Sequence, residues 1–435
     1  MWERARRHAP RGSWRRLGVA VGSVLLAAAC GGGATGTGTG TQEATGPPIR
    51  IGVLDDSGTS SAIEGAELRV NTDLAVSQIN ASGGIKGHKL ETVYVDPQGD
   101  AAKAVSMAQT LVQQQNVDVL VGGIFSPECL GIQNLAPRLQ VAYLASTGCL
   151  SEDFTGKQCN RYSFRVTPAG RQVVFPLSEY IVNTYGKKWA LIYSDYAYGQ
   201  SQANAYTLGL QLAGGELTNK IAIPLNETNV TPYITRIPVD GSITGVINTQ
   251  AGADVLRSLQ AMQQFGIDKK MPVVGVFGKE RWAGVYPDVV NGSLAATNAL
   301  SDSPSDNKYD QDYHKAFRTQ LGKEDPSLLT TLGPVDKAVP GISGYQAYTT
   351  MTALKLAMIG AGFTGRADTD KLIAALESLK APQGPEFPGG AFAMRKSDHQ
   401  GTMATYIAKV NGQKEQVVAT IAPDKLPPIG ACQAK

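Results

Sequence analysis

From Ile49 onward, short β-rich runs alternate with longer amphipathic stretches, joined by turns of a few residues. Runs at 49–54, 89–95, 117–121 and 141–144 are separated by helical patterns at 62–79, 101–115 and 128–139. This alternation predicts a parallel sheet covered on both faces, because parallel neighbours need a crossover and a helix supplies it compactly. The series then repeats: strands at 189–193, 221–223, 245–248 and 273–277, with helices at 171–185, 200–212 and 254–265. The expected fold class is therefore α/β, with two doubly wound, Rossmann-like lobes. Further helices are expected at 307–321, 345–359 and 369–379, then a hairpin-like pair at 391–395 and 402–410. Ligands of open α/β sheets bind beyond the carboxyl ends of the strands, so two facing lobes suit a hinged, bilobed binder.

Hydrophobic residues make up 42% of the 435 residues and charged residues 18%, which supports real cores and argues against disorder. The net charge of +3 is misleading, because residues 1–29 hold six arginines and one glutamate; the remainder has 34 basic and 36 acidic residues. A body near neutrality has no electrostatic footprint for nucleic acid. Only His88, His314 and His399 lie beyond the leader, which argues against histidine-based metal or triad chemistry. No G-x-S-x-G, H-E-x-x-H or P-loop pattern occurs, and Gly36-Thr37-Gly38-Thr39-Gly40 does not follow a strand. Neither an enzymatic activity nor a cofactor or metal is expected.

Six arginines between Arg4 and Arg16 precede an apolar stretch at 17–29, which ends at Cys30. A basic segment followed by an apolar run of this length reads as an export signal, too short for a membrane span. Leu26-Ala27-Ala28-Ala29-Cys30 resembles a bacterial lipobox, which implies cleavage after residue 29 and lipidation of Cys30. Residues 30–48 are rich in Gly and Thr and read as a flexible tether. The expected location is the outer face of the cytoplasmic membrane, with the lipid as the only membrane contact.

Four further cysteines, Cys129, Cys149, Cys159 and Cys432, read as two disulfides in an exported chain. Cys149 and Cys159 bracket a short polar loop and are the favoured pair, leaving Cys129 with Cys432.

Several segments carry a family resemblance. Ile79-Asn80-Ala81-Ser82-Gly83-Gly84-Ile85-Lys86-Gly87 resembles a segment of type I periplasmic solute-binding proteins, in the branched-chain amino-acid (Leu/Ile/Val) binding branch that serves ABC importers. Val95-Asp96 with the run 104–111, the loop 119–123 with Ser126, Phe164-Arg165-Val166-Thr167 and Tyr198-Gly199-Gln200 follow in that family's order. The resemblance implies a monomer of two lobes joined by three crossings: 49–166 plus 300–384, and 167–299 plus 385–425, with 426–435 as a tail. It further implies capture of a small solute, an amino acid or analogue, and its delivery to an ABC permease. A receptor presenting its ligand to a signalling partner would share the fold and the cleft.

Ser126-Pro127-Glu128 has the composition of a helix start: serine suits the N-cap and proline the first helical position. Such a start offers backbone N–H groups and the positive end of the dipole to a carboxylate. The resemblance assigns Ser126 that contact, and adds Ser146 and Thr147, Tyr198 across the cleft, and Thr249 and Gln250 at a strand end. The family's usual threonine falls on Cys149. The family's ammonium-binding acid is matched by Phe277, with Glu280 nearby in another register. Asp55, Asp56 or Asp195 could substitute, or the ligand could lack an ammonium group, since burying one without a charge partner is costly.

Overall fold

The computed structural model describes residues 45–58, 61–276, 278, 286–299, 307–412, 414–430 and 432. The leader, Cys30, most of the tether, Phe277 and Glu280 lie outside the described residues. No helix among the described residues is long and apolar enough to cross a membrane.

The chain first winds β1 (Gly46–Leu54), α1 (Ala62–Ala81), β2 (His88–Val95), α2 (Ala101–Gln113), β3 (Val119–Gly122), α3 (Ser126–Leu139), β4 (Ala142–Ala145) and β5 (Ser163–Arg165). It continues through α4 (Gly170–Thr184), β6 (Lys188–Ser194), α5 (Ala197–Leu212), β7 (Glu216–Ile223), α6 (Thr231–Ile234), β8 (Gly245–Thr249), α7 (Asp254–Gln264), β9 (Val273–Val274), α8 (Pro287–Val290) and β10 (Leu294–Thr297). Next come the helices α9 (Lys308–Leu321), α10 (Pro326–Leu332), α11 (Ile342–Ala361) and α12 (Thr369–Glu377). Five strands end the series: β11 (Lys380–Ala381), β12 (Phe392–Arg395), β13 (Gln400–Met403), β14 (Thr405–Asn411) and β15 (Lys414–Ile421).

These strands form two separate sheets, ordered β11-β12-β13-β5-β4-β3-β1-β2 and β15-β14-β10-β9-β8-β6-β7. The α/β class and the two doubly wound lobes are as the alternation predicts. In each sheet the β-α-β units pair in parallel, and antiparallel strands extend the far edge. Each sheet is buried on both faces, which explains its near-continuous apolar runs. In β3, Val119 and Val121 enter a core shared with α1 and α11, whereas Leu120 enters another with α2 and α3. In β6, Ala190 and Ile192 face one core and Trp189 and Leu191 the opposite one.

The Gly-Gly-Ile segment is a turn device. The Asn80 side chain bonds both the N–H and the C=O of Leu90, tying the end of α1 to β2. Gly84 sits at φ +72°, and a β-carbon there would come within 2.2 Å of the His88 carbonyl.

Residues 385–403, expected in the second lobe, carry β12 and β13 of the first sheet. The expected strand at 402–410 is split: Gln400–Met403 pairs in one sheet and Thr405–Asn411 in the other, with Ala404 between them. The last passage between sheets is therefore at Ala404, not at 384/385. An unbroken β pattern hides a crossing made within extended backbone.

The cysteine pairing also differs from expectation: the bonds are Cys129–Cys149 and Cys159–Cys432, not Cys149–Cys159. β3 and β4 are parallel neighbours, with Gly122 beside Ala145, so the segments leaving their ends lie side by side. Cys129 and Cys149 come within 6.0 Å Cα to Cα, and sheet adjacency overrides nearness in sequence. Cys159 and Cys432 lie beside His399 in the one group of potential metal ligands among the described residues, and their sulfurs are bonded to each other.

Candidate functional site

In both sheets the strand order reverses direction at a switch point, between β1 and β3 in one and between β6 and β8 in the other. Such points open a crevice beyond the strand ends. From the first lobe, α3 starts here directly after β3. From the second, α5 starts after β6, and Thr249 ends β8. Gly199 in the first turn of α5 has no substitute, because a β-carbon would fall 1.8 Å from the Ser194 carbonyl.

Two small adjoining cavities lie between the lobes, about 50 Å³ and about 30 Å³, each with room for a few water-sized groups. Leu150 and Tyr198 line both. The larger is mostly aliphatic, with Val173, Leu177, Val276 and Ala295, and carries Gln202, Tyr206, Thr249 and Gln346 as polar groups. The smaller is lined by Ser61, Glu64, Ser126, Gly148, Tyr196 and Ser343 among others. A bidentate ion pair joins Glu152, between β4 and β5, to Arg171 of α4 at 3.0 and 2.7 Å. The Glu152 N–H also donates to Ser201 of α5 at 3.2 Å.

Ser126 is buried and lines the smaller cavity. It is the first helical residue; Phe125 occupies the cap position, and its N–H donates to the Glu128 carboxyl. The Ser126 hydroxyl accepts from the Ser151 N–H at 3.3 Å. Tyr198 lies between the two cavities, and burial pushes its hydroxyl pKa up. Thr249 lines the larger cavity, 2% exposed, and its Oγ1 has no hydrogen-bond partner among the described residues.

The remaining expected contacts are less direct. Thr147 reaches the cleft through Gln346, to whose Oε1 it donates at 3.4 Å. Ser146 is fully buried beside α11, where its carbonyl accepts from Thr350. Gln250 turns into the second lobe and accepts from Ser258. Asp55 is paired with Arg69 at 2.7 Å, and Asp195 accepts from Gln200 at the surface. Asp56 is buried against Glu128: burial raises the Asp56 pKa while the hydrogen bond from Glu128 lowers it, and Glu128 is pushed up to about 9, first by burial and then by the Asp56 charge.

Sequence reasoning missed several polar cleft residues, among them Gln202, Tyr206, Glu64 and Ser343. Tyr198, Gln202 and Tyr206 are spaced i, i+4, i+8 on α5, a polar-aromatic stripe that points one way. The Gln202 Nε2 has no partner among the described residues. Glu64 stands three residues after Ser61 and so reads as half of a capping box, yet Ser61 makes no capping bond. Ser343 opens α11, 1% exposed, with its Oγ unpartnered among the described residues.

Residues 48–415 match the family described as periplasmic binding protein. A curated relative, Leu/Ile/Val-binding protein homolog 6 of Brucella melitensis, is 22% identical over 345 residues, covering 78% of this chain and 82% of the relative. A solute-binding protein of an ABC transporter from Rhodopseudomonas palustris BisB5, solved with 3,4-dihydroxybenzoic acid, has a TM-score of 0.75 at 20% identity, covering 87% of this chain and 99% of its own. The leucine-, isoleucine-, valine-, threonine- and alanine-binding protein from Brucella ovis, in its closed conformation, has a TM-score of 0.74 at 18% identity, covering 89% and 99%. With two doubly wound lobes, a shared crevice and a match over most of its length, the chain belongs to the periplasmic binding protein family.

Proposed function

We propose that this chain is the lipid-anchored, extracytoplasmic subunit of an ABC uptake system, and that it binds an amino acid of branched-chain type or a related small carboxylate between its lobes. The carrying observation is the convergence of the α3 and α5 starts on one enclosed crevice that holds buried, unpartnered Thr249 Oγ1 and Gln202 Nε2. Buried polar atoms in folded proteins nearly always have partners, so such atoms at a crevice mark where a ligand's polar groups belong. The aliphatic larger cavity suits an apolar side chain. The protein acts as a monomer whose lobes close over the solute, and Cys30 carries the lipid.

Titration calorimetry with ligand-stripped protein against amino acids and small carboxylic acids tests the ligand class. One solute should bind at micromolar affinity or tighter and reduce the radius of gyration in solution scattering. No binding across the panel would sink the reading. Retention of a Cys30→Ala variant in the membrane fraction would remove the lipid anchor.

A second reading takes a carboxylate without an ammonium group, such as an aromatic acid. It is favoured by Phe277, which stands where the family's ammonium-binding acid is expected. The Rhodopseudomonas neighbour was solved with such an acid.

A further inference from the structure

The larger cavity gathers hydrogen-bond donors on its second-lobe side. Tyr198, Gln202 and Tyr206 lie along one face of α5, and Thr249 ends β8. Gln202 is 3% exposed and Thr249 2%, and neither the Gln202 Nε2 nor the Thr249 Oγ1 has a partner among the described residues. Burial pushes the hydroxyl pKa of both tyrosines up, so each keeps its proton at neutral pH and donates. Two glycines leave room for these groups. A β-carbon at Gly275, which lines the same cavity at φ +74°, would lie 2.9 Å from the Tyr206 hydroxyl oxygen, and one at Gly170 would lie 2.5 Å from the Gln202 Nε2.

Such a wall discriminates between ligand tails. While the cleft is open, water can serve the donors. Closure over a plain hydrocarbon tail strands them, at the cost of buried unpaired polar groups, whereas closure over an oxygen pairs them. No Asp, Glu, Lys, Arg or His is among the described residues lining the larger cavity, so a charged tail would be buried there without a described counter-charge. The aliphatic walls at Val173, Leu177, Val276 and Ala295 fit the carbon part of the tail.

We propose that the solute's tail ends in an uncharged oxygen acceptor of carbonyl or amide type. The Gln202 amide, the Tyr206 hydroxyl and the Thr249 Oγ1 of the second lobe hold this oxygen, and the solute's carboxylate meets Ser126 at the α3 start of the first. Leu150 and Tyr198, which line both cavities, flank the passage between the two ends. This proposal rests on the solute-binding reading above and narrows it: the branched size is kept, and one branch carries oxygen.

The test is calorimetry with two pairs of probes matched in shape. L-asparagine has the size and branching of L-leucine, and 4-oxopentanoate differs from 4-methylpentanoate by a carbonyl oxygen in place of one methyl. In the pair that binds, the oxygen-bearing member should bind the native chain at least about tenfold more tightly, and L-aspartate at least about tenfold more weakly than L-asparagine. Gln202→Leu and Thr249→Val, each shown to be folded by thermal unfolding, should bring the two members within about threefold by weakening the oxygen-bearing one, and Thr249→Ser should keep the preference. The proposal falls if the hydrocarbon member binds the native chain as tightly or more tightly, if both variants keep the preference, or if aspartate outbinds asparagine. It falls too if the tightest solute of the wider panel has a hydrocarbon tail. In each of these cases the carboxylate-binding reading stands. Failure of every amino acid and carboxylate in the wider panel would overturn both.

Discussion

The ring of Phe125, at the cap position of α3, lies 6.2 Å from the ring of Tyr196, at the cap position of α5. The two helix starts that frame the crevice thus touch through the residues that begin them, and Tyr196 continues the contact to Tyr198 at 5.7 Å. A contact between residues of opposite lobes exists only while the lobes are closed. An aromatic pair contributes about 0.5–1.5 kcal/mol beyond its buried area, enough to bias a hinge equilibrium. Phe125→Ala should therefore weaken solute binding roughly two- to tenfold and increase the radius of gyration of the ligand-free protein. Unchanged scattering with unchanged affinity would show that this contact does not hold the lobes together.

The buried acids Asp56 and Glu128 make stability depend on pH in a defined direction. Glu128 keeps its proton in the folded state up to about 9, from an ordinary value of 4.5, mainly through burial, and Asp56 is raised too. Between those values the folded chain binds more protons than the unfolded chain. The stabilisation is complete below about 4.5 and is lost as pH rises toward about 9, by up to about 1.4 kcal/mol per pH unit for one proton. Glu128→Gln keeps a hydrogen-bond donor that cannot ionise. Its unfolding temperature should match the native chain at pH 5 and exceed it at pH 9. Parallel curves for the two proteins would contradict the shared proton.

How much of this was legible in the sequence depends on which interactions decided each feature. The two lobes could be read because β3 and β6, buried on both faces, leave uninterrupted apolar runs between helical periods. β5 and β10 could not be read, because Ser163-Phe164-Arg165 and Leu294-Ala295-Ala296-Thr297 lack the run of large or β-branched apolar residues that marks β3. Thr249 and Gln250 were expected to face the cleft together, but consecutive residues of extended chain point to opposite sides, and Ser258 takes Gln250. Features set by local periodicity were visible; those set by what packs across the crevice were not.

Arg165, in the last position of β5, is fully buried and has no carboxylate as a direct partner among the described residues. Its guanidinium donates to the carbonyls of Cys149 and Ser151, to Gln400 of β13 and to Thr155, at 2.5–2.8 Å. Burial lowers its pKa to about 9, so the charge is retained at neutral pH. One side chain thus joins the cleft-lining loop after β4 to two strands at which the chain leaves the first sheet. Arg165→Met should cost more than about 3 kcal/mol in urea unfolding, because it strands several buried acceptors. Arg165→Lys should recover little, since an ammonium cannot span the same forked set. A loss below about 1 kcal/mol for either variant would show that the acceptors find other partners.

The two disulfides should separate stability from binding. Cys159–Cys432 closes 273 residues and Cys129–Cys149 closes 20, so chain entropy assigns them about 5–6 and about 3 kcal/mol. The shorter loop has the closer link to function: Cys149 lines the smaller cavity, its carbonyl accepts from Arg165, and its partner sits in the first turn of α3. Replacing Cys159 and Cys432 together by Ser should lower the unfolding temperature more and leave solute affinity within about twofold, because neither residue lines the cleft. Replacing Cys129 and Cys149 should lower it less but weaken binding by several-fold, by loosening the loop against the α3 start. The pair of measurements is unfolding temperature and calorimetric affinity on the same preparations. If the Cys159/Cys432 variant lost affinity while the Cys129/Cys149 variant kept it, the link between the short disulfide and the crevice would be refuted.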